Sequence, residues 1–248
     1  MKKFNRRRNK DKIFKLKQSV LGFKVLLSYD FCTMNEMLFF IQIFLILSFT
    51  LGALKLGQSA LVAWVAIQAL IANLFVLKQI TLFGFEVTAS DAFVIGSLLG
   101  LNFLQEFYSK EEANRATWIC FFSMFFFALI SRLHLYYEPS LHDTSQIAFQ
   151  TILSPSPRIF MASMSVFFIV QQFDMRFFSW LKNRLPNLSF SFRTAMALLI
   201  SQFLDTFLFS FVGLYGLVAS VFDIIVISYL IKLIVVFCFT SIIRLVKA

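Results

Sequence analysis

The chain has no HExxH, no GxSxG and no Ser/His pair inside its apolar segments. The usual signatures of hydrolytic chemistry within a membrane are therefore absent, and no enzyme is expected. No nucleotide-binding motif is present either. The turn GALKLGQS at 52–59 comes near a P-loop, but Gln58 stands where the phosphate-binding lysine is needed and no strand precedes it. Cysteine is scarce: Cys32, Cys120 and Cys238 form no CxxC or Cys/His pattern, and the last two fall in apolar runs as small hydrophobes. His134, His142 and Asp143 sit in the 132–156 stretch at irregular spacing, so a solvated loop is expected there and no metal site. The first apolar run starts late, near Met37, with no A-x-A cleavage site after it, so no signal peptide is expected.

Apolar bulk is abundant. Of 248 residues 59% are hydrophobic and 18% aromatic, with 35 Phe and a mean hydropathy of +0.79. That exceeds the ~50% apolar usage of soluble domains and leaves no room for a soluble catalytic domain. The class is an all-α, polytopic membrane helix bundle of about six to seven transmembrane helices. Apolar segments near the ~20-residue spanning length run at about 37–54, 59–78, 92–108, 115–131, 157–173, 193–213 and 217–243. The third is diluted by Gly96, Gly100, Asn102 and Glu106. Between the second and third, 78–91 mixes Gly, Phe and Thr, which suggests a hairpin or re-entrant turn capping a cavity. Loop 174–192 carries Arg176, Lys182 and Arg184, with Pro186 as helix breaker.

Net charge is +10, but residues 1–33 alone contribute +8, leaving +2 for the remaining chain. A basic tail of that kind can bind anionic lipid or nucleic acid; more often it is a solvated cytoplasmic arm, and no direct nucleic-acid partner is expected. The other basic clusters (Lys110 with Arg115; Arg176 with Lys182 and Arg184; Arg244 with Lys247) can all face the cytoplasm together. Seven helices in that orientation put residues 1–33 on the wrong side. Two readings resolve this: Met34 is the true start, or the tail is a genuine cytoplasmic arm and helix one lies along the membrane or the bundle inverts. Either way the chain divides into a tail at 1–33 and a membrane domain at 34–248.

The segment RTAMALLISQFLDTFLFSFVG at 193–213 carries Gln202 and Asp205 deep inside an apolar stretch. A carboxylate there costs roughly 2.5–3.5 kcal/mol or more unless a partner charge, a wet cavity or a ligand offsets it. Ser201, Gln202, Asp205 and Thr206 share one side of a helix. Polar glue between helices is the plain alternative to a site.

IANLFVLKQITLFG (71–84), LNFLQEFYSKEEANRATW (101–118), SPRIFMASMSVFFIVQQFD (156–174), FRTAMALLISQFLDTFLF (192–209) and SYLIKLIV (228–235), in this order and spacing, together resemble the bacterial queuosine precursor transporter family, whose fold is similar to the substrate-binding subunit of energy-coupling-factor vitamin transporters. IANLFVLKQITLFG (71–84) supplies Asn73, Lys78 and Gly84; LNFLQEFYSKEEANRATW (101–118) supplies Asn102, Glu106 and an Ala-Arg pair split by Asn114. SPRIFMASMSVFFIVQQFD (156–174) supplies Arg158, Gln172 and Asp174; FRTAMALLISQFLDTFLF (192–209) supplies Arg193, Gln202 and Asp205; SYLIKLIV (228–235) supplies Tyr229 and Lys232. Asn102 and Ser109 depart from the family's Asp and Gly. The resemblance implies import of a 7-deazaguanine base (queuine, preQ0 or preQ1) for tRNA modification, across the bacterial cytoplasmic membrane and without a cofactor.

The substrate-binding residues it implies are Asn73, Lys78, Asn102, Glu106, Arg158, Gln172, Asp174, Arg193, Gln202, Asp205 and Lys232. By depth they sort into an outer layer around Asp205, with Asn73, Lys78, Arg158 and, as a further candidate, Asp223, and an inner layer of Asn102, Glu106, Asp174 and Arg193. Lys232 falls between. A polar solute's path and two structural ion-pair clusters both fit this pattern. Arg158, at a helix start, also fits headgroup snorkelling. Gln171 and Gln172 also fit interhelical glue. The alternative function is a binding subunit for another small nutrient or vitamin, docked through Gly96 and Gly100 on a separate ATPase module. Without a nucleotide motif of its own, the chain draws energy from a gradient or from such a partner.

Overall fold

The computed structural model describes residues 34–76, 78–154, 157–216 and 221–246. The expectations for residues 1–33 lie outside them. Helices α1 (Met34–Leu56), α2 (Gln58–Phe75), α3 (Asp91–Phe107), α4 (Lys110–Leu135), α5 (Gln146–Leu153), α6 (Pro157–Arg184), α7 (Phe190–Phe209) and α8 (Val221–Val246) account for nearly all of this. Strands β1 (Gln79–Leu82) and β2 (Phe85–Thr88) form the one sheet among the described residues. All seven expected helices are present, and α5 is additional. Among the described residues five helices are long and apolar enough to cross a membrane, or six if α5 and α6 count as one bent span. The outer surface suits lipid: Phe44, Phe122 and Phe237 are 62%, 72% and 73% exposed.

α3 is not among those five. It is short and diluted because it is the central helix, packed against α2, α4, α6, α7 and α8. Thirteen of its 17 residues are buried, and a helix buried all round needs no apolar stripe. Gly96 and Gly100 are what let α2 approach. A Cβ at Gly100 would run into the Val65 side chain, and one at Gly96 into Gln68 and Ile46. The expected docking face for an ATPase is thus corrected: both glycines are buried inside the chain, where the close backbone approach needs them.

Polar residues also misled the helix ends. α6 continues through Arg184, so Asp174, Arg176 and Lys182 are helical and not in a loop. α4 runs through Leu135 into the expected 132–156 loop. Ser109 caps α4, accepting from the Glu112 amide at 3.2 Å, and Ser189 caps α7 by accepting from the Phe192 amide at 3.3 Å. Before α5, the Ser145 hydroxyl and amide both donate to Asp143 and hold its carboxyl below the usual range. Among the described residues no three His, Cys, Asp or Glu side chains gather for a metal.

The 78–91 stretch is an antiparallel hairpin with Leu82 opposite Phe85. Its two-residue turn, Phe83 (φ 51) and Gly84 (φ 82), has both residues left-handed, the geometry that matches strand twist. Phe83 tolerates this strained backbone while its amide donates to Glu36 at 3.0 Å. Asn35 donates to the Thr81 carbonyl at 3.2 Å, which ties the hairpin to α1. β2 leads directly into α3 and packs on α8. The hairpin therefore covers one end of the bundle, where α3, α6 and α8 begin and α2 and α7 finish.

Candidate functional site: a buried ion triad under the hairpin

Buried polar groups form three layers along the bundle. Nearest the hairpin, Lys232 of α8 donates to Asp205 of α7 at 2.6 Å and lies 3.6 Å from Asp91 of α3. The Lys232 side chain is only 5% exposed. Asp205 meets the cost of its burial through this ammonium. Thr88, at the end of β2, adds a hydroxyl to Asp91 at 3.3 Å. These groups line a cavity of about 100 Å³ together with Asn73, Ser163, Phe167 and Phe209. Asn73 is held by the Ser163 hydroxyl, which donates to its side-chain oxygen at 3.1 Å. α7 passes into a π turn (Ser210–Leu214) beside the cavity, placing Ser210 and Leu214 on its wall; such turns recur at functional sites.

The middle layer is less saturated. Ser201 donates to Asp174 at 2.6 Å and Gln171 donates to Ser97 at 3.1 Å. Yet both amide atoms of Gln68, Asn102 and Gln202 are buried without a partner, as is the second oxygen of Asp174. Asn102 lies next to Asp174. Native interiors leave few such atoms unpaired.

The far layer is the best paired in charge, although Arg193 Nε and Gln105 Nε2 have no partner among the described residues. Arg193 donates to both oxygens of Glu106 at 2.9 and 3.1 Å, and Lys182 approaches the same carboxylate at 3.3 Å. Lys182 also caps the end of α3, donating to the Gln105 and Glu106 carbonyls at 3.0 and 3.3 Å. With ~1.5 Å per residue, Asp205 stands about 18 Å from Arg193 along α7, so the two ion clusters close opposite ends of one column.

The structure brings Asn73, Asp205 and Lys232 together at the cavity. It places Asn102, Asp174 and Gln202 in the middle layer, and Glu106 with Arg193 at the far end. Three expected residues are elsewhere. Arg158 donates to the Val212 and Tyr215 carbonyls at 3.2 and 2.8 Å and so caps the π turn. Gln172 donates to Asn114 at 3.2 Å between α6 and α4. Lys78 lines a separate, mostly apolar groove of about 920 Å³ between α1, α2 and the hairpin. That groove is larger, but the buried charges Asp91, Asp205 and Lys232 line the smaller cavity. Lys232 does not fall between layers; it belongs to the Asp205 layer, because α8 crosses α7 where Tyr229 donates to the Leu199 carbonyl at 3.2 Å.

Sequence reasoning missed Asp91, Ser163 and Gln68. Asp91 reads locally as an acid at a helix start, favoured there by the dipole alone. Only the fold sets it against Lys232.

A family model described as "Putative vitamin uptake transporter" matches residues 88–246, which run from the end of β2 through α8. A "Probable queuosine precursor transporter" of Bacillus subtilis (strain 168) is 30% identical over 162 residues, covering 65% of this chain and 71% of that protein. No solved structure matches the chain.

Proposed function

The chain belongs to the vitamin uptake transporter family, and on that premise we propose that it imports a queuosine precursor, a 7-deazaguanine base, through the bacterial cytoplasmic membrane for tRNA modification. The observation that carries this reading is the Asp205–Lys232 pair, 2.6 Å apart at the wall of a buried cavity. The base's Watson–Crick edge offers N1–H and an exocyclic amine as donors beside the O6 acceptor. Asp205 can accept both donors in parallel while Lys232 keeps one carboxylate oxygen. Asn73 stands on the facing wall with amide hydrogens to offer, and Phe167 and Phe209 bring rings to the flat heterocycle.

The cavity of about 100 Å³ is smaller than the ~150 Å³ void that takes benzene. A bicyclic base requires it to widen. The hairpin is the natural mover, since it buries only Leu82 and Val87. Basic residues gather at the far end of the bundle, with Lys55, Lys110, Arg115, Lys182, Arg184 and Arg193. The positive-inside rule makes that end cytoplasmic, which puts the Asp205 cavity in the outer half, where an imported solute arrives. Asn102 in place of a carboxylate leaves the path one negative charge poorer. That favours a neutral base over the cationic aminomethyl precursor.

The family's description as vitamin uptake favours a second reading, a binding subunit for another nutrient driven by a separate ATPase. One experiment separates them. The chain is expressed in a strain unable to make or import precursors, each base is fed, and tRNA is assayed for queuosine. Asp205→Asn should abolish the signal while membrane insertion persists, because one acceptor becomes a donor facing a donor (~1–3 kcal/mol). Unchanged uptake at low substrate removes Asp205 from the site. No queuosine with any fed base favours the other nutrient.

A further inference from the structure

Two carboxylates share one ammonium under the hairpin, and they are not equivalent. Lys232 is 2.6 Å from Asp205 and 3.6 Å from Asp91. Asp91 is 7% exposed; one oxygen takes the Thr88 hydroxyl at 3.3 Å, and the other is buried with no hydrogen-bond partner. The groups facing Asp91 around the cavity are Asn73 from α2, Ser163 from α6, Asp205 and Thr206 from α7, and Ser228 and Lys232 from α8. Among the described lining residues only Asp91, Asp205 and Lys232 carry charge. With all three ionised the cavity holds one uncompensated negative charge, and Asp91 bears it with one oxygen unsolvated, an expensive arrangement at low dielectric.

We propose that Asp91 carries the proton that drives uptake, so that one base and one proton cross together. The proposal rests on the base-import reading and names its energy source. A proton from the outer water binds the unpartnered Asp91 oxygen, where it displaces no existing hydrogen bond. The cavity then becomes neutral. Asp91 now presents an O–H donor beside the Asp205 acceptor. That donor–acceptor pair complements the edge of a 7-deazaguanine, where O6 accepts next to two donating nitrogens. Deprotonated, Asp91 would set a lone pair against O6 and repel it. Proton and base therefore favour each other's binding, which is the reciprocity that coupling requires. When the base leaves on the cytoplasmic side, the O–H loses its acceptor and the proton follows. No other bond forms or breaks. Transport of a neutral base then carries one positive charge inward per cycle.

The test uses the purified full chain in liposomes, with radiolabelled 7-cyano-7-deazaguanine as the probe. With the interior one pH unit more alkaline and the membrane potential clamped at zero by a potassium ionophore in equal potassium, the wild type should accumulate the probe toward about tenfold over the outside, the limit for one proton per base, and a protonophore should collapse this to equality. Asp91→Asn keeps a donor but cannot exchange a proton. It should show no gradient-driven accumulation, and whatever exchange it retains should not vary with pH. Active exchange in the wild type without gradient-driven accumulation overturns the proposal while leaving base transport intact. Accumulation by Asp91→Asn equal to wild type overturns it as well. If Asp91→Asn does not insert, probe binding to the wild type decides: affinity that falls as pH rises supports the coupling, and a flat profile overturns it. A wild type that binds no 7-deazaguanine at any pH sinks the base-import reading itself, and the coupling with it.

Discussion

Replacing Lys232 by methionine keeps the length and much of the volume of the side chain but removes the single ammonium between two carboxylates. The Lys232, Asp91 and Asp205 side chains are 5%, 10% and 14% exposed, so water offers little relief. Breaking a buried pair by removing one partner costs ~3–5 kcal/mol. At ~2–4 °C per kcal/mol for a chain of this size, the melting temperature in detergent should drop by roughly 6–20 °C. If the cost is that of orphaned charge, removing the orphans should restore stability stepwise. Lys232→Met should be the least stable, Lys232→Met with Asp205→Asn intermediate, and the triple change that adds Asp91→Asn close to wild type. None of the three should take up base. Thermal unfolding followed by tryptophan fluorescence checks the order. A triple variant no more stable than Lys232→Met alone would refute the reasoning, since the loss would then come from packing and not from charge.

The far layer should behave as a brace. Glu106→Gln leaves Arg193, whose side chain is 7% exposed, without its two-oxygen acceptor; stability should fall by ~1.5–3 kcal/mol, while uptake per folded molecule falls little. Uptake lost beyond the loss of folded protein would make Glu106 a ligand. Gly100→Ala drives a methyl into Val65, a β-branched side chain with little rotamer freedom. Overpacking of ~1–3 kcal/mol is expected, read as lower yield and melting temperature. An unchanged melting temperature would mean that α2 and α3 are not held this closely.

The placement of the long apolar helices is legible in the amino-acid order because the bilayer imposes a simple rule: about twenty apolar residues with all backbone bonds made internally; the short α5 gives no such signal. The 78–91 hairpin is legible for a related reason, since Gly84 and its neighbours break both periodicities. Depth along α7 is legible too, because a fixed rise per residue separates Arg193 from Asp205. What a one-dimensional reading lacks is rotation and proximity between helices. Asp174 and Lys182 look like loop residues because charge ends an apolar run, yet Ser201 and the end of α3 take up their polarity. Gly96 and Gly100 look like a surface for a partner, and packing against α2 buries them. Arg158 carries the same charge wherever it stands; only the fold directs it to two carbonyls of the π turn and away from the cavity. Asp91 is the sharpest case. It is separated from Lys232 by more than half the chain and has no local peculiarity. Its meaning comes from the crossing of α3, α7 and α8, which sets two acids against one base where water cannot separate them.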